Sequence, residues 1–261
     1  MNSINVAGIQ QFSFPDKTKS LLHTKKWITK AVEKNAELIV LQELHGTEYF
    51  CQSEDPNKFD LAEPLNGPTS QFLSEQAKQF NVVIIGSIFE RRGPGIYHNT
   101  AVVFDKDGTL AGYYRKMHIP DDPGFYEKYY FTPGDTQGFE PIQTSIGKLG
   151  VMICWDQWYP EAARIMTLMG AEMIFYPTAI GSEPDPEADS RDSWQIVMQG
   201  HAAANSIPII ASNRIGIEKN KKFSMSFYGS SFITNECGEK VEECSRDQQE
   251  IIVHEFDLDS V

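Results

Sequence analysis

The order of apolar runs along this 261-residue chain predicts an α/β protein of four layers, α-β-β-α, built as one domain over 1–261. Three observations carry that expectation. Both halves alternate short β-branched runs with amphipathic stretches, reading β-α-β-α-β with extra strands at the end. No Ser/Gly-rich or Pro/Thr-rich linker separates the halves. The composition, 41% hydrophobic and 23% charged, is that of a globular chain long enough to bury a substantial core.

The elements follow in order. A strand is expected over 5–11, then a helix over 16–35 with Leu22, Ile28, Ala31 and Val32 as an imperfect apolar stripe. The Ile/Val/Leu run at 37–41 reads as a buried strand. Pro68 opens a helix over 68–80, with Phe72, Leu73, Ala77 and Phe80 on one face. Strands are expected over 82–89, 99–104 and 110–115, the last two joined by a hairpin turn at Asp105-Lys-Asp-Gly108. The stretch from Met117 to Gly138 is rich in Pro, Gly, Tyr and Phe and has no period. A connection of that length in a compact domain is usually functional, and its aromatic content predicts that it is packed. The second half reads as a strand (148–153), a helix (160–169), a strand (172–176), a helix (193–205) and strands over 207–212, 228–234 and 250–256.

Charge and cysteine usage exclude whole classes of function. With 23 Lys and Arg against 36 Asp and Glu, the net charge is −13, which is wrong for a nucleic-acid partner. The short basic runs, Lys25-Lys26, Arg91-Arg92 and the lysines between Lys219 and Lys222, read as solvated surface. No apolar run approaches the roughly 18 residues of a membrane span, and the first ten residues lack the pattern of an export signal. The four cysteines are therefore expected to be reduced thiols in a cytoplasmic protein. Cys237 and Cys244 lack zinc-finger spacing, so no metal is expected.

Ligands of open α/β sheets gather beyond the carboxyl ends of strands. Three reactive residues leave predicted strands there: Glu43 after 37–41, Lys116 after 110–115 and Cys154 after 148–153. Singly each has an ordinary explanation, a buried small thiol for Cys154 above all. Together they have a chemical logic. A cysteine at a helix N-terminus beside an ammonium has a lowered pKa. A glutamate in a desolvated pocket can take the thiol proton and pass it to a leaving amine. The lysine, with the backbone N–H after the cysteine, can stabilise the oxyanion formed when sulfur attacks a carbonyl. Such acyl transfer needs no cofactor. A Cys–His pair using His118 or His201 is the competing arrangement. The chain has no G-x-S-x-G, H-E-x-x-H, P-loop or G-x-G-x-x-G motif.

Four ordered segments make the chain similar, from end to end, to the nitrilase or carbon–nitrogen hydrolase superfamily. They are Leu-Ile-Val-Leu-Gln-Glu-Leu (38–44), Tyr-Arg-Lys-Met-His-Ile-Pro (114–120), Tyr-Glu-Lys-Tyr-Tyr-Phe-Thr-Pro-Gly (126–134) and Gly-Val-Met-Ile-Cys-Trp-Asp-Gln-Trp-Tyr-Pro-Glu (150–161). The resemblance implies the α-β-β-α sandwich, usually dimerised, with Cys154 as nucleophile, Glu43 and Lys116 beside it and Glu127 as a supporting acid. It implies no cofactor. The segments 154–161, 176–184, 189–192, 198–201 and 211–216 resemble a branch that hydrolyses a carbamoylated diamine to the diamine, carbon dioxide and ammonia in polyamine synthesis. Branches acting on carbamoylated amino acids place Arg after the cysteine. Here Trp155, Asp156, Gln157 and Trp158 stand there, so the implied partner is a small cationic ureido substrate. Trp155, Tyr126 and Glu183 are the expected substrate contacts, Glu183 for the ammonium. The alternatives are another linear amidase or ω-amidase, or a non-catalytic member of the fold, which the four intact residues argue against.

Overall fold

In the computed structural model, residues 3–135, 138–182, 189–219 and 224–257 are described. The first half runs β1 (Ser3–Gln10), α1 (Lys17–Glu33), β2 (Leu38–Val40), α2 (Pro68–Phe80), β3 (Val83–Gly93), β4 (Ile96–Phe104) and β5 (Leu110–Arg115). A short ribbon, β6 (Asp121–Asp122) with β7 (Phe125–Tyr126), leads into the single helical turn α3 (Glu127–Tyr130). The second half runs β8 (Ile142–Thr144), β9 (Gly147–Val151), α4 (Pro160–Leu168), β10 (Met173–Pro177), β11 (Gly181–Ser182), α5 (Arg191–Asn205), β12 (Ile209–Ser212), β13 (Ile215–Lys219) and β14 (Ser224–Tyr228). It ends with β15 (Phe232–Thr234), β16 (Lys240–Glu243) and β17 (Glu250–Asp257).

Two six-stranded sheets result, ordered β17-β1-β2-β3-β4-β5 and β16-β15-β12-β10-β9-β8. Three parallel strands form the middle of each, β1, β2 and β3 in one and β9, β10 and β12 in the other, with antiparallel strands outside. Period-2 alternation assigns the faces. Ile4, Val6, Leu38, Val40, Val83 and Ile85 share one core with Val151, Phe175 and Ile210 of the opposite sheet, which stand in register on one face. The intervening Ala7, Ile9, Ile39 and Ile84 pack outward on Ile28 and Ala31 of α1 and Leu73 and Ala77 of α2. On the far face of the second sheet, Ile174 packs toward Met166 of α4, and Trp194 and Met198 of α5 belong to the same continuous apolar cluster. The architecture is the four-layer α-β-β-α sandwich.

Local chemistry sets the boundaries. Asp16 caps α1, its carboxylate accepting from Lys19 N–H at 2.8 Å. Pro68 occupies the first turn of α2, and Asn81 in the left-handed region ends it. The β4–β5 turn closes by Gly108 N–H on Asp105 O at 2.8 Å. The single strand expected over 228–234 is instead two, in different sheets. Gly229 and Ser230 both take positive φ, 53° and 57°, and turn the chain out of β14 before β15 begins. The aromatic stretch after Met117 is packed as expected: Phe125, Tyr130 and Phe131 join Tyr49, Phe50, Phe89 and Phe227 in a separate cluster.

Candidate active site

The strand-end rule brings the expected residues together. Glu43, Lys116 and Glu127 are buried to 1% exposure or less, on the turn after β2, the end of β5 and the start of α3. Lys116 Nζ donates to Glu43 Oε1 at 2.8 Å and to Glu127 Oε2 at 2.7 Å. Its backbone is fixed from both sides, Lys116 N–H donating to Asn99 O and Gly134 N–H to Lys116 O, each at 2.9 Å. Gly134 is needed for that approach, since a Cβ there would lie 2.3 Å from Arg115 O.

Burial and charge set the protonation states. Burial alone would lower the lysine, but Glu127 and Glu43 outweigh it and hold Lys116 well above its usual range, as an ammonium. Burial, with the Glu43 charge adding to it, pushes Glu127 up to about 7, against the pull of Lys116. Glu43 Oε1 already serves Lys116 and Asn99 Nδ2, the latter at 2.6 Å, whereas Oε2 is buried with no protein partner.

Cys154 opens a five-residue 3₁₀ turn, Cys154–Trp158, rather than an α-helix, and has φ 41°. Its thiol donates to Ala179 O at 3.9 Å. The expected lowering of its pKa by a helix N-terminus is not found. Burial and the Glu43 charge raise it well above the usual thiol range, with Lys116 opposing them. The resting sulfur is therefore a neutral thiol that needs a base. Neither candidate histidine supplies one: His118 Nδ1 is 2.7 Å from Asp156 Oδ1, and His201 Nε2 is 2.8 Å from Gln157 O.

A cavity of about 180 Å³ opens beside the sulfur. Pro120, Phe125, Trp155, Trp158 and Ile180 give it apolar walls, and Cys154, Glu127, Asp122 and Ser190 supply the polar groups. Of the three expected substrate contacts, Trp155 lines the cavity. Tyr126 is not among the lining residues, because the ribbon turns its neighbours Phe125 and Glu127 to the cavity and pairs Tyr126 with Asp121. Glu183 lies outside the described residues. A larger groove of about 610 Å³, between α1 and β16–β17, contains none of the clustered reactive residues. Among the described residues no group of three or more His, Cys, Asp or Glu is placed to hold a metal ion, and no helix is long and apolar enough to cross a membrane.

The family model for carbon–nitrogen hydrolase matches residues 4–261. The chain belongs to the carbon–nitrogen hydrolase family. A crystal structure of a carbon–nitrogen hydrolase from Helicobacter pylori G27 superposes with a TM-score of 0.94 at 50% identity, covering 99% of this chain and 90% of that one. An N-carbamoylputrescine amidase from Solanum lycopersicum is 47% identical over 99% of this chain and 87% of its own. A citrullinase from Francisella tularensis is 46% identical over 99% and 90%.

Within this carbon–nitrogen hydrolase, several site residues were not read from the sequence. Asn99 and Tyr49 hold the two carboxylates, Tyr49 Oη donating to Glu127 Oε1 at 2.7 Å. Fully buried Arg214 donates to Glu43 O at 2.7 Å, to Leu44 O at 3.2 Å and to Glu218 Oε1 at 2.8 Å, clamping a turn in which Leu44 has φ 50°. Applying the strand-end rule to β12 would have found Arg214. Nothing in the local sequence marks Tyr49.

Proposed function

We propose that this chain is an amidohydrolase that converts N-carbamoylputrescine to putrescine, carbon dioxide and ammonia, a step of putrescine synthesis. The observation that carries the reading is the buried Glu43–Lys116–Glu127 cluster beside Cys154, at the end of a cavity with apolar walls and an acid, Asp122, among its lining. The relatives named N-carbamoylputrescine amidase support the substrate.

Glu43 Oε2 accepts the thiol proton, and the sulfur attacks the ureido carbon. Lys116 and the Trp155 N–H stabilise the tetrahedral oxyanion. Collapse breaks the terminal C–N bond, and Glu43 returns the proton to the departing ammonia. The aminobutyl chain stays attached to sulfur through a thiocarbamate (a carbamoyl thioester). Water, deprotonated by Glu43, then cleaves this intermediate, and the released carbamate loses carbon dioxide to leave putrescine. Glu127 orients the lysine. In this reading the methylene chain lies against Trp155, Trp158 and Phe125, and Asp122, which also lines the cavity, pairs the distal ammonium.

Citrulline hydrolysis is the second reading, raised by the Francisella relative. No Lys or Arg is among the described residues that line the cavity, so a substrate carboxylate finds no partner there. An ammonia-release panel tests the choice. N-carbamoylputrescine should exceed citrulline, other N-carbamoyl amino acids and simple nitriles in kcat/KM by tenfold or more. Comparable rates on citrulline would defeat the cationic-substrate reading.

The same reading extends to assembly and compartment, a cytoplasmic homodimer or higher homo-oligomer. The outer helices expose Ile165 and Leu168 on α4 and Ile196 on α5, Leu168 to 75%, a face suited to a second copy.

A further inference from the structure

We propose that Asp156 is the positioning residue of this site, its buried carboxylate tying the turn that carries Cys154 to the segment that carries Lys116. The inference rests on the cysteine-hydrolase reading above. Asp156 stands two residues after Cys154 and is fully buried. Its oxygens accept four hydrogen bonds, drawn from both segments. Oδ2 takes Ile153 N–H, the peptide just before the nucleophile, at 2.9 Å and the Tyr114 hydroxyl at 2.9 Å. Oδ1 takes the His118 backbone N–H at 3.0 Å and lies 2.7 Å from His118 Nδ1. Tyr114 and His118 stand two residues to either side of Lys116.

The arrangement answers a specific need. Cys154 holds φ 41°, a region that L-residues avoid, and such a conformation persists only where its surroundings over-determine it. Lys116 is a fixed reference, pinned through its backbone by Asn99 and Gly134. The carboxylate therefore sets sulfur and ammonium relative to each other. His118 is itself held, its ring stacked on Tyr159 at 3.5 Å and 8°, with Phe139 5.9 Å away.

The isosteric Asp156→Asn change separates this role from simple space filling. An amide has one acceptor oxygen. Whichever way it turns, its NH₂ meets a backbone N–H, of Ile153 or of His118, and neither can reverse its polarity. One tie then fails at constant volume. Displacements of about 1 Å cost about 10²-fold in rate. In folded Asp156→Asn, kcat on N-carbamoylputrescine should therefore fall by about 10²-fold or more, with KM changing less than about threefold. Tyr114→Phe removes the bond to Asp156 and the one that Met117 N–H gives the same hydroxyl at 3.3 Å, leaves both backbone ties of the carboxylate, and should cost about tenfold in kcat with KM unmoved.

A second readout is independent of substrate: iodoacetamide alkylation of Cys154 against pH, followed by peptide mapping with Cys237 as internal control. The Cys154 rate profile should move in Asp156→Asn while that of Cys237 stays in place. Wild-type kcat in folded Asp156→Asn overturns the assignment. So does a loss that follows only the folded fraction, with turnover per active site and the alkylation profile unchanged. If Asp156→Asn does not fold, Tyr114→Phe decides, and its wild-type kcat would overturn the proposal. If the wild type releases no ammonia from any ureido compound, the reaction reading fails, and the alkylation profile still rules on Asp156.

Discussion

Lys116 stands between two buried carboxylates and is ion-paired to both. Such a group is stable only as a unit, because removing one member leaves charge buried and uncompensated. Burial, with the Glu43 charge adding to it, keeps Cys154 a thiol at rest. Glu127 gives this a pH signature. Its folded-state value of about 7 lies above the ordinary 4.5, so the folded protein binds more protons than the unfolded chain between those values. The stability it contributes is complete below pH 4.5 and is lost as pH rises through about 7. The unfolding free energy from urea titrations should fall between pH 5 and 8 by an amount on the order of 1–3 kcal/mol from this group, and the slope should flatten in Glu127→Gln. An unchanged slope in that variant would remove Glu127 as the source.

The working groups are held by turns at strand ends rather than by the strands themselves. Glu43 precedes a positive φ at Leu44, Cys154 has one, and Lys116 is braced by Gly134. Gly134→Ala would set a Cβ against Arg115 O and Met117 Sδ, at 2.3 Å and 2.9 Å, so the backbone at Lys116 must shift. We expect a cost of about 1–3 kcal/mol and a kcat loss of tenfold or more, read by thermal unfolding and ammonia release. Wild-type values for both would mean that the brace has slack. These elements differ in how legible they were. Pro68 and the stripe behind it marked α2 to the residue, and Asp105 to Gly108 marked the β4–β5 hairpin. Period and turn chemistry are local, and both are written in the residues. The split at Gly229 was missed because Tyr228 and Phe232-Ile-Thr234 on either side of Gly-Ser-Ser read as one extended segment, and the left-handed backbone at Gly229 and Ser230 that parts them is not written in the pattern. Likewise the strand-end rule and the motifs found Glu43, Lys116, Glu127 and Cys154, whereas Tyr49 and Asn99 reach the site only through tertiary packing.

The sandwich explains why residues so far apart in sequence meet. Glu43 and Lys116 leave one sheet and Cys154 the other, so the cluster forms only when the two sheets close on their shared core. The net charge of −13 suits a cationic substrate, although salt at cellular concentration screens most of that attraction and leaves selectivity to the cavity. Assembly is expected through the α4–α5 face. Light scattering should give a dimer or higher species for the wild type and a smaller one for Leu168→Glu, and a monomeric wild type would contradict that expectation. The proposed chemistry rests on one sulfur, and ammonia release from N-carbamoylputrescine by folded Cys154→Ala protein tests it most directly. No release above background is predicted. Release at the wild-type rate would contradict the nucleophile and, with it, the mechanism.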